Sequence, residues 1–390
     1  MIYCYASARK ISLSVSGLIL LFIVCQSPRV RLFPQSPAAS VKDTNKKIEA
    51  APWPRADRLF RSDPLWLGGD GAFSVDLSGG RVLWMFGDSF IATRPGETRR
   101  QATFVRNSVA IETGYDPARA TIRFYSGHRK GKPASLVPSE GATWFWPIHG
   151  IRIGNRLLLF YMRETADPDK QSMGFQSVGW NAFMVDNPDA EPSQWRLRKL
   201  AGPEMQGKMF IGMAVLHEGG FLYAFALDDV THNAYLLRWR FNEAAAGRLS
   251  SPQWWCGAAD GWRGDPAHRQ IVIRNAGSEF SVQRDPRGGF LEVNSAGFGA
   301  STIVFRGAAH LEGPWSQPEM LYDPPESNAP HAFVYGAKAH PELHGAGLVI
   351  TYTANGSNER LATDMSIYFP RFVRVTFSNE LKSSVARAHR

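Results

Sequence analysis

The chain has only three cysteines in 390 residues, Cys4, Cys25 and Cys256. That scarcity excludes a disulfide-built scaffold, and no cysteine pair has the spacing of a zinc knuckle. Long helical periodicity is also scarce after Asp63, and no P-loop, dinucleotide fingerprint or helical DNA-reading motif is present. Only one sustained apolar run occurs, at 11–25, and it is shorter than the roughly 20 residues a spanning helix needs. The body lacks net charge as well. The formal charge of the whole chain is +9, but residues 1–61 carry +7 and 381–390 carry +3, which leaves −1 for 62–380. A nucleic-acid partner needs a basic face on the folded domain, and a neutral body does not supply one. Apolar residues make up 44% of the chain, which excludes wholesale disorder.

Arg9 and Lys10 precede the apolar run, the form of a signal peptide or signal anchor over 1–26. A lipid-modified Cys25 is an alternative, although Val24 before it is larger than such sites prefer. Residues 27–62 are rich in Pro, Ser, Ala and Lys and read as a flexible basic linker. These features predict export, to the periplasm, the medium or a membrane-anchored place at the cell envelope. A basic tail closes the chain at 381–390.

The body, 63–380, reads as all-β. A short strand, a Gly-containing turn and a second apolar strand recur five times, at 73–86, 151–162, 213–227, 280–293 and 339–353. Their turn glycines Gly79, Gly154, Gly219, Gly288 and Gly345 lie 57–75 residues apart. Repeats of that length with several strands each predict a five-bladed β-propeller. Two packed sandwiches are the competing architecture, but they do not account for five copies. Further strands fit at 107–112, 234–241 and 301–305, and a final one at 372–377 is expected to close the ring beside an early strand.

The first hairpin holds the strongest chemical signal. A three-residue loop, Ser78-Gly79-Gly80, pairs flanking residues whose numbers sum to 158. Followed outward, this register sets Asp70 opposite Asp88, with Cβ atoms roughly 4.5–5.5 Å apart on one face. Like charges so placed cost stability, and their repulsion raises one pKa so that the pair divides into acid and base. Cleavage of a glycosidic bond requires two such carboxyls. Either Asp alone, in Gly-Asp-Gly or Gly-Asp-Ser, reads as an ordinary turn residue. A one-residue slip would send the two to opposite faces.

The segment GGDGAFSVDLSGGRVLWMFGDSF, with VRNSVAI after it, resembles the first blade of a bacterial five-bladed propeller family, the domain of unknown function 4185 type, which includes endo-D-arabinanases. The pieces HLEGPWSQPEMLY, YGAKAHPELHGAGLVITYTANG and YFPRFVRVTF extend the similarity over roughly 66–378. The resemblance implies a glycoside hydrolase acting on furanoside polysaccharide, with Asp70 and Asp88 as its catalytic acids. It also makes Asn107, beside Arg106 at a strand start, a site-facing amide. The chain is similar, more distantly, to arabinanase- and fructosidase-type propellers, which draw further carboxylates from later blades. Glu204, Asp228 and Asp229 are candidates for a third, although as loop residues they also read as solvated.

His149 holds in the second repeat the place of Asp70 in the first, and reads as a sugar-binding or carboxylate-orienting residue, or as a structural histidine. Lys338 and His340 alternate on one strand face, aimed at the axis or into blade packing. Arg371 starts the closing strand, to pair with one of the acids or to tie the ring. Trp66, Trp144 and Trp146 are candidate stacking platforms for sugar rings. No spacing demands a metal or other cofactor, and a calcium ion would need oxygen ligands that the sequence does not place. The expected partner is a polysaccharide or oligosaccharide, with no nucleic acid, and the protein is expected to be a monomer. The alternative function is a non-catalytic carbohydrate-binding or structural propeller of the cell envelope.

Overall fold

The structure, a computed structural model, describes residues 47–169, 174–203, 205, 209–297, 299, 301–329, 333–344 and 347–378. The segments read as signal and tail, the turn at Gly345 and the candidate Glu204 lie outside the described residues. No helix among the described residues is long and apolar enough to cross a membrane.

Five antiparallel sheets, four of four strands and one of six, follow one another along the described chain. The first comprises Phe73–Ser78, Arg81–Phe86, Ser108–Thr113 and Thr121–Tyr125. The second comprises Trp144–Ile153, Arg156–Ala166, Phe175–Val185 and Leu197–Leu200. The third is built on Met209–Glu218, Phe221–Asp228, Ala234–Arg240 and Gln253–Trp255, with short additional strands at its edge. The fourth is Phe280–Arg284, Phe290–Ala296, Thr302–Ala308 and Glu319–Tyr322. The fifth takes Phe333–Ala339, Leu348–Asn355 and Arg371–Ser378, and its outermost strand is Lys47–Pro52 from the start of the described chain. The second strand of the first sheet, Arg81–Phe86, is a continuous apolar run from Val82 onward because it is covered on both faces, and all of it from there is buried.

The first strands of the sheets pack against one another in order, one to five. The fifth returns to the first: His340 Nδ1 lies 2.6 Å from Ser74 Oγ, and Lys338 Nζ donates to the Gly71 carbonyl at 2.5 Å. Three of these inner strands break register midway, between Pro147 and Gly150, Ile211 and Val215, and Tyr335 and Lys338. Such bulges bend a strand and re-aim its side chains, here where the five strands converge.

The first hairpin keeps the register of 158 from Phe73↔Met85 to Asp76↔Val82. The tip differs from expectation. Ser78 pairs with Arg81, Leu77 is bulged, and the turn is Gly79-Gly80 with φ of +65° and +79°. Two successive positive φ values are the geometry in which a two-residue turn matches strand twist.

The expected linker, 27–62, is corrected in its second half. Residues 47–52 pair with the closing strand, and a short helix (Pro54–Asp57) and 3₁₀ turn (Leu59–Arg61) follow. Trp53, Ala56, Leu59 and Phe60 are buried. The Phe60 ring stacks on Phe372 at 5.0 Å and meets Trp84 edge-on at 4.9 Å. Polar and proline-rich composition masked an apolar i, i+3, i+4 pattern (Ala56, Leu59, Phe60) too short to register as a helix. Phe60→Ala is expected to cost about 3–5 kcal/mol in chemical denaturation, the range for a truncated buried aromatic; a linker residue would change stability by less than about 0.5 kcal/mol.

Candidate active site

Pairing on either side of the two aspartates keeps one register: Gly69 lies opposite Ser89, and Phe73 opposite Met85. Between them the Gly87 amide donates to the Asp70 carbonyl at 3.0 Å. Asp70 and Asp88 therefore project from opposed positions at the end of the first hairpin where the inner strands converge. Gly87 is required by this arrangement, since a Cβ there would sit 2.6 Å from Asp70 Oδ1.

The two carboxyls are both half-buried but differently dressed. Asp88 accepts from Trp146 Nε1 at 2.7 Å and from Arg106 Nη1 at 3.1 Å. Asp70 accepts from the Tyr335 hydroxyl at 2.8 Å. Tyr368 joins the two, since its hydroxyl donates to the Asp88 carbonyl at 3.0 Å and also bonds the Asp70 carboxyl. Burial pushes both pKa values above the usual carboxylate range. For Asp70 the negative charges of Asp88 and Glu279 push further up against its tyrosine hydrogen bonds. For Asp88 the Arg106 charge and the Trp146 and Arg106 hydrogen bonds pull back down. Asp70 is thus the carboxyl of the pair that holds its proton more strongly, and Asp88 the one that ionises more readily.

Glu279 brings a third carboxylate. It immediately precedes the inner strand of the fourth sheet and accepts from Lys338 Nζ at 2.6 Å. Glu279 was missed in the sequence, where attention went to Glu204, Asp228 and Asp229. Asp228 instead caps its own turn, accepting from the amides of Val230 and Thr231.

Tyr368 sits at φ +63°, a strained conformation for an aromatic residue. Arg99, 2% exposed, holds the segment there. It donates to the carbonyls of Leu67, Leu361, Asp364 and Ile367 at 2.5–2.9 Å. It is a buried cation whose donors go to backbone carbonyls, fixing the tyrosine that touches both aspartates.

The other sequence candidates take several places. Trp146 and Lys338 join the site, the latter from below. Lys338 is buried, donates to the carbonyls of Gly71 and Gly336 and to Glu279, and lies over the Phe73 ring at 4.2 Å. His340 is buried between Ser74 and Thr351, bonded through both ring nitrogens. His149 accepts from the Val215 amide at 3.0 Å and ties the second sheet to the third; burial and the Lys338 charge lower its pKa to about 4, so it is neutral. Asn107 uses its whole amide internally, on Val137 and Phe145. Arg371 pairs with Glu326 at 2.9 Å rather than with either aspartate. Trp66 is core, and Trp144 is buried beneath the Arg106 guanidinium at 4.1 Å. No cluster of three or more His, Cys, Asp or Glu suited to a metal ion occurs among the described residues.

Residues 55–378 match the family described as domain of unknown function 5005. The chain belongs to that family. The resemblance drawn from the first and fifth repeats pointed to the 4185 type instead, and the family shown is 5005. No curated protein matches the chain. Among solved structures it is similar to a protein of Bacteroides ovatus ATCC 8483 provisionally described as a hydrolase, with 16% identity over 88% of this chain and 96% of that one and a TM-score of 0.67. At that identity the likeness is one of fold. A GH62 hydrolase in complex with xylotriose matches at 12% identity over 79% of this chain and 91% of that one, with a TM-score of 0.44. A thermostable family-43 glycoside hydrolase matches at 11% identity over 80% and 90%, with a TM-score of 0.42.

Raised carboxyl pKa values have a consequence for this member of the 5005 family. The native state binds more protons than the unfolded chain between the ordinary carboxylate range and the shifted values, so the stability from these groups is full below that range and falls as pH rises through the shifted values. Asp70→Asn removes its part of that fall. The variant is expected to exceed the parent by about 1–3 kcal/mol at neutral pH, with the gap closing near about pH 4. Urea denaturation at the two pH values checks this, and an Asn variant no more stable than the parent at neutral pH would contradict it.

Proposed function

We propose that the chain is a glycoside hydrolase that cleaves furanoside polysaccharide of the D-arabinan type. In this reading its five sheets are the blades of a five-bladed propeller, and the active site opens where the inner strands meet. The observation that carries the reading is the opposed carboxyl pair with divided surroundings: Asp70 against two negative neighbours, Asp88 against Arg106 and Trp146. The sugar follows from the first- and fifth-repeat motifs and their resemblance to endo-D-arabinanases.

Asp70, protonated, gives its proton to the glycosidic oxygen as the bond from that oxygen to the anomeric carbon breaks. Asp88, ionised, serves attack on the anomeric carbon, as base toward water or as the nucleophile itself. In either course water supplies the new hydroxyl, and the proton it loses restores the pair. Tyr368 and Tyr335 hold the hydrogen-bond network around the exchange, while Lys338 pairs with Glu279. The basic flank and apolar run of 1–26 support a proposed location at the cell envelope or beyond, and the neutral body suits an uncharged substrate. It is proposed to act as a monomer, without a cofactor.

Incubation of the purified protein with D-arabinan and a small panel of furanans is expected to release oligosaccharides. Asp70→Asn and Asp88→Asn are each expected to reduce kcat by about 10²–10⁴-fold while leaving glycan binding in place. Activity requires one carboxyl ionised and one protonated, so the pH profile is a bell. Both of its limbs are expected above the ordinary carboxylate range, because both pKa values are raised. Wild-type activity in either Asn variant would refute the mechanism, and saturable binding without products would favour a carbohydrate-binding propeller.

A further inference from the structure

Phe104 is 45% exposed and is the sole aromatic among the large apolar side chains left exposed in the described residues. A single exposed apolar residue needs no explanation; the surroundings of this one set it apart. Phe104 lies on the last strand, Thr103–Val105, of a small sheet that also takes Trp66–Gly69 and Ser89–Ile91. Two of its strands lie between the second and third strands of the first blade and the other precedes the first strand, so the small sheet borders both aspartates in sequence. The Phe104 ring is braced by Phe90 at 5.2 Å, and the Arg106 guanidinium lies 5.0 Å from its centroid. Two separate routes lead from the ring to Asp88. Arg106 itself bonds the Asp88 carboxylate. Phe90 packs edge-on against Tyr368 at 5.9 Å, and the Tyr368 hydroxyl bonds the Asp88 carbonyl. On the far side of Arg106 the aromatic strip continues through Trp144 to Trp146 and Phe175.

We infer that Phe104 is the stacking platform of a sugar-binding subsite, taking a ring of the polysaccharide beyond the bond that is cleaved. The inference rests on the proposed hydrolase reading and specifies where its substrate extends. A furanose ring offers an apolar C–H face, and an aromatic ring braced by a neighbouring ring supplies a matching surface with little entropy to lose. At 45% exposure the Phe104 ring is reachable from solvent. Arg106 is shared between platform and catalytic centre, so its position keeps the subsite in register with Asp88. A longer chain gains this contact and a short one does not, which makes Phe104 a residue that selects for polymer length.

The test compares D-arabinan with the shortest D-arabinan fragment that the wild type cleaves. Phe104→Ala is expected to raise KM for the polymer about fivefold to tenfold, with kcat and the pH profile unchanged and the fragment's kcat/KM within about twofold. Phe104→Trp is expected to restore polymer KM. An unchanged thermal midpoint in Phe104→Ala would show that the loss is one of contact rather than folding. If polymer and fragment respond alike, or neither responds, the subsite is refuted while the hydrolase stands. If the wild type neither cleaves nor binds D-arabinan, the hydrolase reading fails and the subsite falls with it.

Discussion

Two carboxyl groups that repel each other, half-buried at the end of one hairpin, are the constraint around which the structure is arranged. Burial disfavours their charged forms, and proximity disfavours charging both. Such a pair persists only where the fold is stable enough to carry it. Here the load is spread. Asp88 is held by Arg106 and Trp146, which come from different sheets, and Asp70 by Tyr335 from the fifth. Residues on or beside the first, second and fifth sheets all hold the pair, so its geometry depends on how those three sheets pack together.

The packing of the sheets against one another is itself built partly from buried polar contacts. Lys338 reaches from the fifth sheet to the Gly71 carbonyl beside Asp70, and His340 to Ser74 on the first strand. His149 links the second inner strand to the third. Arg99 clamps the strained segment that presents Tyr368. Each is a polar group satisfied in the interior, and removal of one partner would leave the other desolvated and unpaired. The same network that joins the sheets therefore orients the catalytic candidates, and the outermost strand of the fifth sheet, Lys47–Pro52, ties the start of the described chain to its end.

Much of this was legible in the sequence where local rules suffice. Turn glycines and apolar runs marked the five repeats, and the summed register of one hairpin set Asp70 opposite Asp88 because side-chain alternation in a strand is strict. What the sequence concealed depends on contacts between distant segments. Nothing local distinguishes Asn107, which holds Val137 and Phe145, from an amide facing a ligand. Lys338 and His340 alternate in the sequence, yet only tertiary packing decides that Lys338 borders the site while His340 is enclosed. Glu279 went unmarked for the same reason: its neighbours Lys338 and Asp70 are far away in the chain. The helix and strand within 47–61 were hidden by composition, since a Pro-rich segment with a few well-placed apolar residues reads as linker until Phe372 and Trp84 are seen beside Phe60.

The central claim is that Asp70 is the carboxyl of the pair that holds its proton more strongly, while Asp88 ionises more readily. Infrared difference spectroscopy of the wild type against Asp70→Asn measures it without any substrate. The account predicts a protonated-carboxyl C=O band in the wild type in mildly acidic solution that disappears in Asp70→Asn and loses intensity as the pH rises through about 7. Two fully ionised carboxylates already in mildly acidic solution, with no such band to lose, would contradict it.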